Sequence, residues 1–112
     1  MVTSLSDPKS EMCGKGTRAG TRLNSRVAIA VEWTESGREL RAEGHTVDVS
    51  PKGCLAIVAQ VFHVGDHLRI VNLTNQSKCD AVLIWRGHQG RTGWELGLEL
   101  RDAPAEFWDV DF

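Results

Sequence analysis

The sequence predicts an all-β fold: a small six-stranded antiparallel barrel with a flexible N-terminal arm and a short C-terminal helix. Three observations lead there. Apolar residues alternate with polar ones over short runs, the period of a strand with one buried face. Turn-forming residues punctuate these runs roughly every eight to twelve positions, the spacing of small β-barrels. And 112 residues suffice for one hydrophobic core but not for two.

Residues 1–20 are rich in Ser, Thr, Gly and Lys and show no apolar period and no helix cap, which predicts a flexible arm ahead of a domain over 21–112. In "VAIAVEW" the residues Val27, Ile29, Val31 and Trp33 alternate with Ala28, Ala30 and Glu32, a first strand that "TESG" ends with a turn. "RELRAEGHTVDVS" is a second strand that stops in Ser-Pro-Lys-Gly, where Pro51 supplies a fixed φ and Gly53 permits φ > 0. "CLAIVAQV" is nearly all apolar, as in a strand covered on both faces, and "HVGD" turns the chain again. "HLRIVNL" and "CDAVLIWRG" are strands separated by "TNQSK", and "WELGLEL" sets Trp94, Leu96, Leu98 and Leu100 against Glu95, Gly97 and Glu99. Asp102 as N-cap and Pro104 in the first turn then predict a helix over "AEFWDVDF", with Phe107 or Trp108 laid on an open barrel end.

Composition excludes several classes. With 41% hydrophobic and 25% charged residues the chain is neither a disordered polymer nor a membrane protein. No basic start followed by an apolar run marks a signal peptide, and no stretch approaches a membrane span, so the expected location is the cytoplasm. Cys13, Cys54 and Cys79 are odd in number with no close pair, which fits reduced thiols. The net charge of −2 divides into +3 over residues 1–26 and −5 over the rest, and positive charge confined to the arm argues against a DNA or RNA partner. His63 and His67 have the spacing of a helical metal pair, but Gly65 and Asp66 break a helix, and on a strand they would lie about 13 Å apart. His45, Asp48 and Ser50 are the residue types of a hydrolytic triad, yet a strand turns His45 and Asp48 to opposite faces. An enzyme is not expected, and neither a metal nor a cofactor is called for.

Two motifs remain. "RLNSR" places Arg22 and Arg26 four apart just before the first strand, and "DVSPKG" places Asp48, Ser50 and Gly53 after the second. Chance supplies D-x-S-x-x-G in roughly a few per cent of chains this long, and the ordered pair in roughly one of several hundred. On these residues, and on "VGDHLRI", "VLIW" and "WELGLEL", the chain resembles the PilZ domain, the bacterial receptor module for cyclic di-GMP, over residues 22–112. The resemblance implies cyclic di-GMP as ligand, with Arg22, Arg26, Asp48, Ser50 and Gly53 as its contacts. It also implies a downstream protein partner, since a free-standing domain carries no output module. Trp85, which matches an aromatic position of the family, and Arg86 and Arg18 are further candidate contacts.

The chemistry fits those residue types. An arginine fork pairs bidentately with phosphate or with guanine O6 and N7, and its face stacks on a base. A carboxylate accepts from a guanine N1–H and exocyclic amine together. The expected mechanism is an arm that is loose when free and brings Arg22 and Arg26 over the nucleotide. Plainer readings stand beside this one: exposed arginines as solvated charges, Asp48 and Ser50 as closures of a strand end through local hydrogen bonds, and Trp85 as ordinary packing. Family members often double the arginine at the start of the first motif, whereas here Thr21 precedes and Leu23 follows Arg22, which leaves ligand stoichiometry open. The alternatives from other classes are a PilZ-like adaptor that does not bind nucleotide, and a barrel for single-stranded nucleic acid, which the acidic body disfavours.

Overall fold

A computed structural model of the chain describes residues 22–110 and 112. Six strands follow one another: β1 (Ala28–Glu35), β2 (Arg38–Ser50), β3 (Gly53–Val58), β4 (His67–Asn72), β5 (Ser77–Gln89) and β6 (Trp94–Arg101). They close into a barrel in the order β1-β2-β3-β6-β5-β4, every neighbour antiparallel. The alternation read from the sequence lines its interior. Ile29 and Val31 of β1, Leu68 and Ile70 of β4, Leu83 of β5, and Leu96 and Leu98 of β6 all form part of the buried core.

Short connections set the register. Ser36 and Gly37 both take positive φ, at 53° and 78°, which gives β1 and β2 a hairpin turn whose twist matches the strands. Pro51 and Lys52 join β2 to β3 across the pair Ser50 and Gly53. Gly53 makes no use of the positive φ that a glycine permits. It is the first residue of β3, and a Cβ there would stand 2.3 Å from the carbonyl oxygen of Leu98 on β6. The glycine is required by the close approach of two strands, not by the turn.

Three register shifts interrupt the ladders, one in β2 between Thr46 and Asp48 and two in β5, between Leu83 and Trp85 and between Arg86 and Gln89. A bulge inserts an extra residue and re-aims the side chains that follow it. β3 is not covered on both faces as expected: Cys54, Ala56 and Val58 are buried, while Leu55 and Ile57 are only half-buried on the outer face.

The predicted arm over residues 1–20, with Arg18, lies outside the described residues. The stretch that follows it, 22–27, is pinned along β2. Leu23 exchanges both backbone hydrogen bonds with Val49, at 2.8 and 2.9 Å. Further along, the Thr46 amide donates to the Val27 carbonyl, and the buried Thr46 hydroxyl accepts from the Val27 amide at 2.8 Å and donates to the Ser25 carbonyl. The R-x-x-x-R backbone is therefore held from Leu23 to Val27.

No helix forms among the described residues, which corrects the expected one over 105–112. Asp102 sits at φ 53° and Asp109 at φ 57°, and between them two single turns, Phe107 amide to Pro104 carbonyl and Asp109 amide to Glu106 carbonyl, replace helical turns. Tertiary contacts override the capping signals. Phe107 and Trp108 are both buried, ring against ring edge at 4.8 Å, and join the barrel core. The Phe107 carbonyl accepts from the fully buried Asn72 side chain at 2.8 Å, and the Trp108 indole N–H donates to the Ser50 carbonyl at 2.9 Å. The barrel thus satisfies the Phe107 carbonyl, which a helix would have paired within itself, and gives the buried indole N–H an acceptor.

Candidate functional site

After the bulge in β2, Val49 points into the core and Asp48 and Ser50 lie on the outer surface, two residues apart on one face. Cross-strand pairing continues this row around the barrel. Asp48 lies opposite Leu55, Leu55 opposite Gly97, and Gly97 opposite Trp85; one step along, Ser50 lies opposite Gly53 and Gly53 opposite Glu99. These residues line a groove of about 440 Å³, with Arg22 and Lys52 at its rim and Ile84 beside Trp85. The floor is apolar and the rim carries both signs of charge, the usual makeup of a small-molecule site.

Each polar member has a local partner. Arg22 reaches Asp48 at 3.9 Å, with the arginine side chain 72% exposed and the carboxylate 15%. At that distance, with its arginine in solvent, the pair is worth little, and Arg22 is free to exchange it for a stronger anion. The Ser50 hydroxyl accepts from the Lys52 amide at 3.3 Å and donates to the Gly53 carbonyl at 3.4 Å, the local turn closure foreseen for it. The Lys52 carbonyl accepts from the Leu100 amide at 2.8 Å, which ties the loop to β6.

Trp85 owes its position to the second bulge, which leaves both Ile84 and Trp85 exposed on the outer surface. Its side chain lies across two glycines. A Cβ on Gly97 would stand 3.1 Å from the Trp85 Cβ, and one on Gly87 would stand 2.4 Å from the ring. The indole, 49% exposed, therefore lies along the sheet beside the groove, as a stacking surface does.

Of the residues singled out from sequence, the groove gathers Arg22, Asp48, Ser50, Gly53 and Trp85. Arg26 is exposed on the same side of the extended segment as Arg22, but it is not among the groove's lining residues. Arg86 is directed elsewhere: it donates to the Phe62 carbonyl at 3.0 Å and lies over the Trp94 ring at 5.4 Å. Leu55, Ile84, Gly97, Lys52 and Glu99 were not singled out as ligand contacts. The signal for Gly97 was present, since a lone glycine in the best-alternating strand marks a close approach. The others depend on cross-strand register, which no local pattern encodes.

A larger groove of about 620 Å³ lies near the β1–β2 hairpin, lined by Trp33, Leu40 and Leu68 among others, with Arg41, Arg69 and Arg101 at its rim. Those arginines are engaged by carboxylates: Arg41 with Glu32 at 3.4 Å, Arg69 with Asp80 at 3.7 Å, Arg101 with Glu99 at 3.3 Å. None of the sequence-predicted site residues lines it.

Beneath the first groove, burial and secondarily the Asp48 carboxylate push the Cys54 thiol up from 9.0 to about 12. The folded state thus favours the neutral thiol. The stability this contributes is complete below pH 9 and is lost as the pH rises toward 12. Thermal melts at pH 8 and pH 11 are expected to show a large alkaline loss in the wild type and a smaller one in Cys54→Val; an equal loss in both would count against it.

A family model described as the PilZ domain matches residues 18–107. No curated protein and no solved structure matches the chain.

Proposed function

The chain belongs to the PilZ domain family, and from that premise we propose that it is a receptor for cyclic di-GMP that relays ligand binding to a protein partner, making and breaking no bond itself. One observation carries this reading: Arg22, Asp48 and Ser50, drawn from two separate motifs, meet on one groove beside the exposed Trp85.

In this reading a purine stacks on Trp85 above Gly97, and Asp48 accepts from its N1–H and exocyclic amine. Arg22 leaves Asp48 for a phosphate, so the negative charge that held the arginine turns to the base. Arg26 reaches the nucleotide from the outward face of its segment, and Ser50 adds a hydroxyl at the loop. Because 22–27 is pinned at Leu23 and Val27, closure over the ligand involves the arginine side chains rather than a folding of the motif itself. No cofactor takes part.

Charge-assisted hydrogen bonds contribute about 1.5–3 kcal/mol each, so four or five reach roughly ten. Ordering removes about 1–2 kcal/mol per residue fixed, which leaves a dissociation constant of about one micromolar. Isothermal titration of the purified protein with cyclic di-GMP tests this. Saturable heat in that range supports the receptor and gives the stoichiometry that the single Arg22 leaves open. No heat from a folded sample at high ligand concentration rejects it in favour of the adaptor.

A further inference from the structure

Beyond the Leu23 amide on the Val49 carbonyl, two hydrogen bonds hold the turn of the D-x-S-x-x-G loop at the carbonyls of Ser50 and Lys52. One is backbone to backbone, Leu100 amide to Lys52 carbonyl. The other comes from 58 residues away: the Trp108 indole N–H on the Ser50 carbonyl. Trp108 is 3% exposed, so its N–H has little water to turn to if this acceptor is lost. Trp108 is itself fixed from behind. Phe107 packs edge-on against it, and the Phe107 carbonyl is held by Asn72, whose Oδ1 also accepts from the Thr74 amide and hydroxyl. A continuous chain of fixed groups therefore runs from the β4–β5 turn, through 107–108, to the residue that stands beside Asp48 in the candidate groove.

We infer that Trp108 is a positioning residue for the nucleotide loop, and that segment 103–110 is thermodynamically coupled to the ligand it helps to hold. The inference rests on the receptor reading for its ligand, but its geometry is a property of the free protein. Trp108 touches no groove; it acts on Ser50 through the carbonyl whose placement sets the path of Pro51, Lys52 and Gly53. Coupling is reciprocal: whatever holds the loop in place for the nucleotide is held in turn by the nucleotide. The loop and the segment that closes the barrel thus tighten together.

Two variants separate positioning from packing. Trp108→Phe keeps an aromatic ring in the core and removes the N–H; Phe107→Leu trims the same segment and leaves the N–H in place. In the ligand-free protein, Trp108→Phe is expected to speed amide hydrogen exchange at Lys52 and Gly53 at least fivefold, with Phe107→Leu leaving them near wild type although it melts earlier. In titration with cyclic di-GMP, Trp108→Phe is expected to bind about tenfold more weakly and Phe107→Leu within about twofold of wild type, and saturating nucleotide should slow exchange across 103–110 in wild type but not in Trp108→Phe. Unchanged loop exchange in Trp108→Phe, or equal losses of affinity in both variants, would overturn the positioning role. A wild type that gives no heat would overturn the receptor reading alone, because the ligand-free exchange arm still decides whether Trp108 holds the loop.

Discussion

Gly53→Ala is expected to lower the melting temperature by roughly 5–20 °C, the equivalent of about 1–3 kcal/mol of overpacking. The added Cβ would lie 2.3 Å from the Leu98 carbonyl oxygen, a backbone atom of the adjoining strand. No rotamer change relieves that contact, so β3 and β6 must part where they pair most closely, and the ladder through Cys54 and Leu98 goes with them. The comparison is Gly37→Ala, where nothing lies within 4 Å and only the φ of 78° resists. That variant is expected to lose about 1–2 kcal/mol through the left-handed conformation alone. Thermal unfolding followed by far-ultraviolet circular dichroism distinguishes them. A Gly53→Ala protein that melts like wild type would show that the strands yield easily and would return the glycine to a role in ligand contact.

Asp48→Ala should act in the opposite way, leaving the fold and removing the ligand. The carboxylate makes one weak pair with Arg22 at 3.9 Å, and its loss is expected to move the melting temperature by only a few degrees, in line with about 0–1 kcal/mol for a long pair whose arginine lies in solvent. In the receptor reading it accepts two hydrogen bonds from one guanine edge. Two such bonds at about 1.5–3 kcal/mol each correspond to a loss of affinity of roughly 100-fold or more. Asp48→Asn is expected to recover little of it, because an amide presents one acceptor and turns a donor toward the other guanine proton. Titration of both variants with cyclic di-GMP checks this; affinity within threefold of wild type in Asp48→Ala would leave the residue with a turn-closing role only.

How far the sequence was legible follows from which features are local. Alternation found the first and last strands, an apolar run found β3, and turn residues placed the breaks between strands, because all of these are properties of a few consecutive positions. The helix expected after Asp102 failed for the converse reason. Its capping signals were local, but burial of Phe107 and Trp108 and the hydrogen bonds from Asn72 and to Ser50 come from residues 35 and 58 positions away. Gly53 was assigned to the turn it adjoins, whereas its constraint comes from Leu98. The site shows the same division. Its two motifs were readable as motifs, and the chemistry of Asp48 and Arg22 follows from their types. That Leu55 and Gly97 floor the groove, and that Trp85 enters it while Arg86 turns to Phe62, depend on two bulges and on the order in which strands meet around the barrel.

That order has a consequence for how the protein is made. β6 is the last strand of the chain and pairs with β3 on one side and β5 on the other. As the polypeptide leaves the ribosome, β1 through β5 can assemble as an open sheet whose two edges are β3 and β5. The β3 edge is GCLAIV, short and apolar, the kind of edge that recruits another chain. It stays open until residues 94–101 emerge and insert between the two edges, and only then does Gly97 arrive to form the bed under Trp85. Nascent chains stalled before β6 are thus expected to be the aggregation-prone species, and in the receptor reading a bound nucleotide reports a finished molecule.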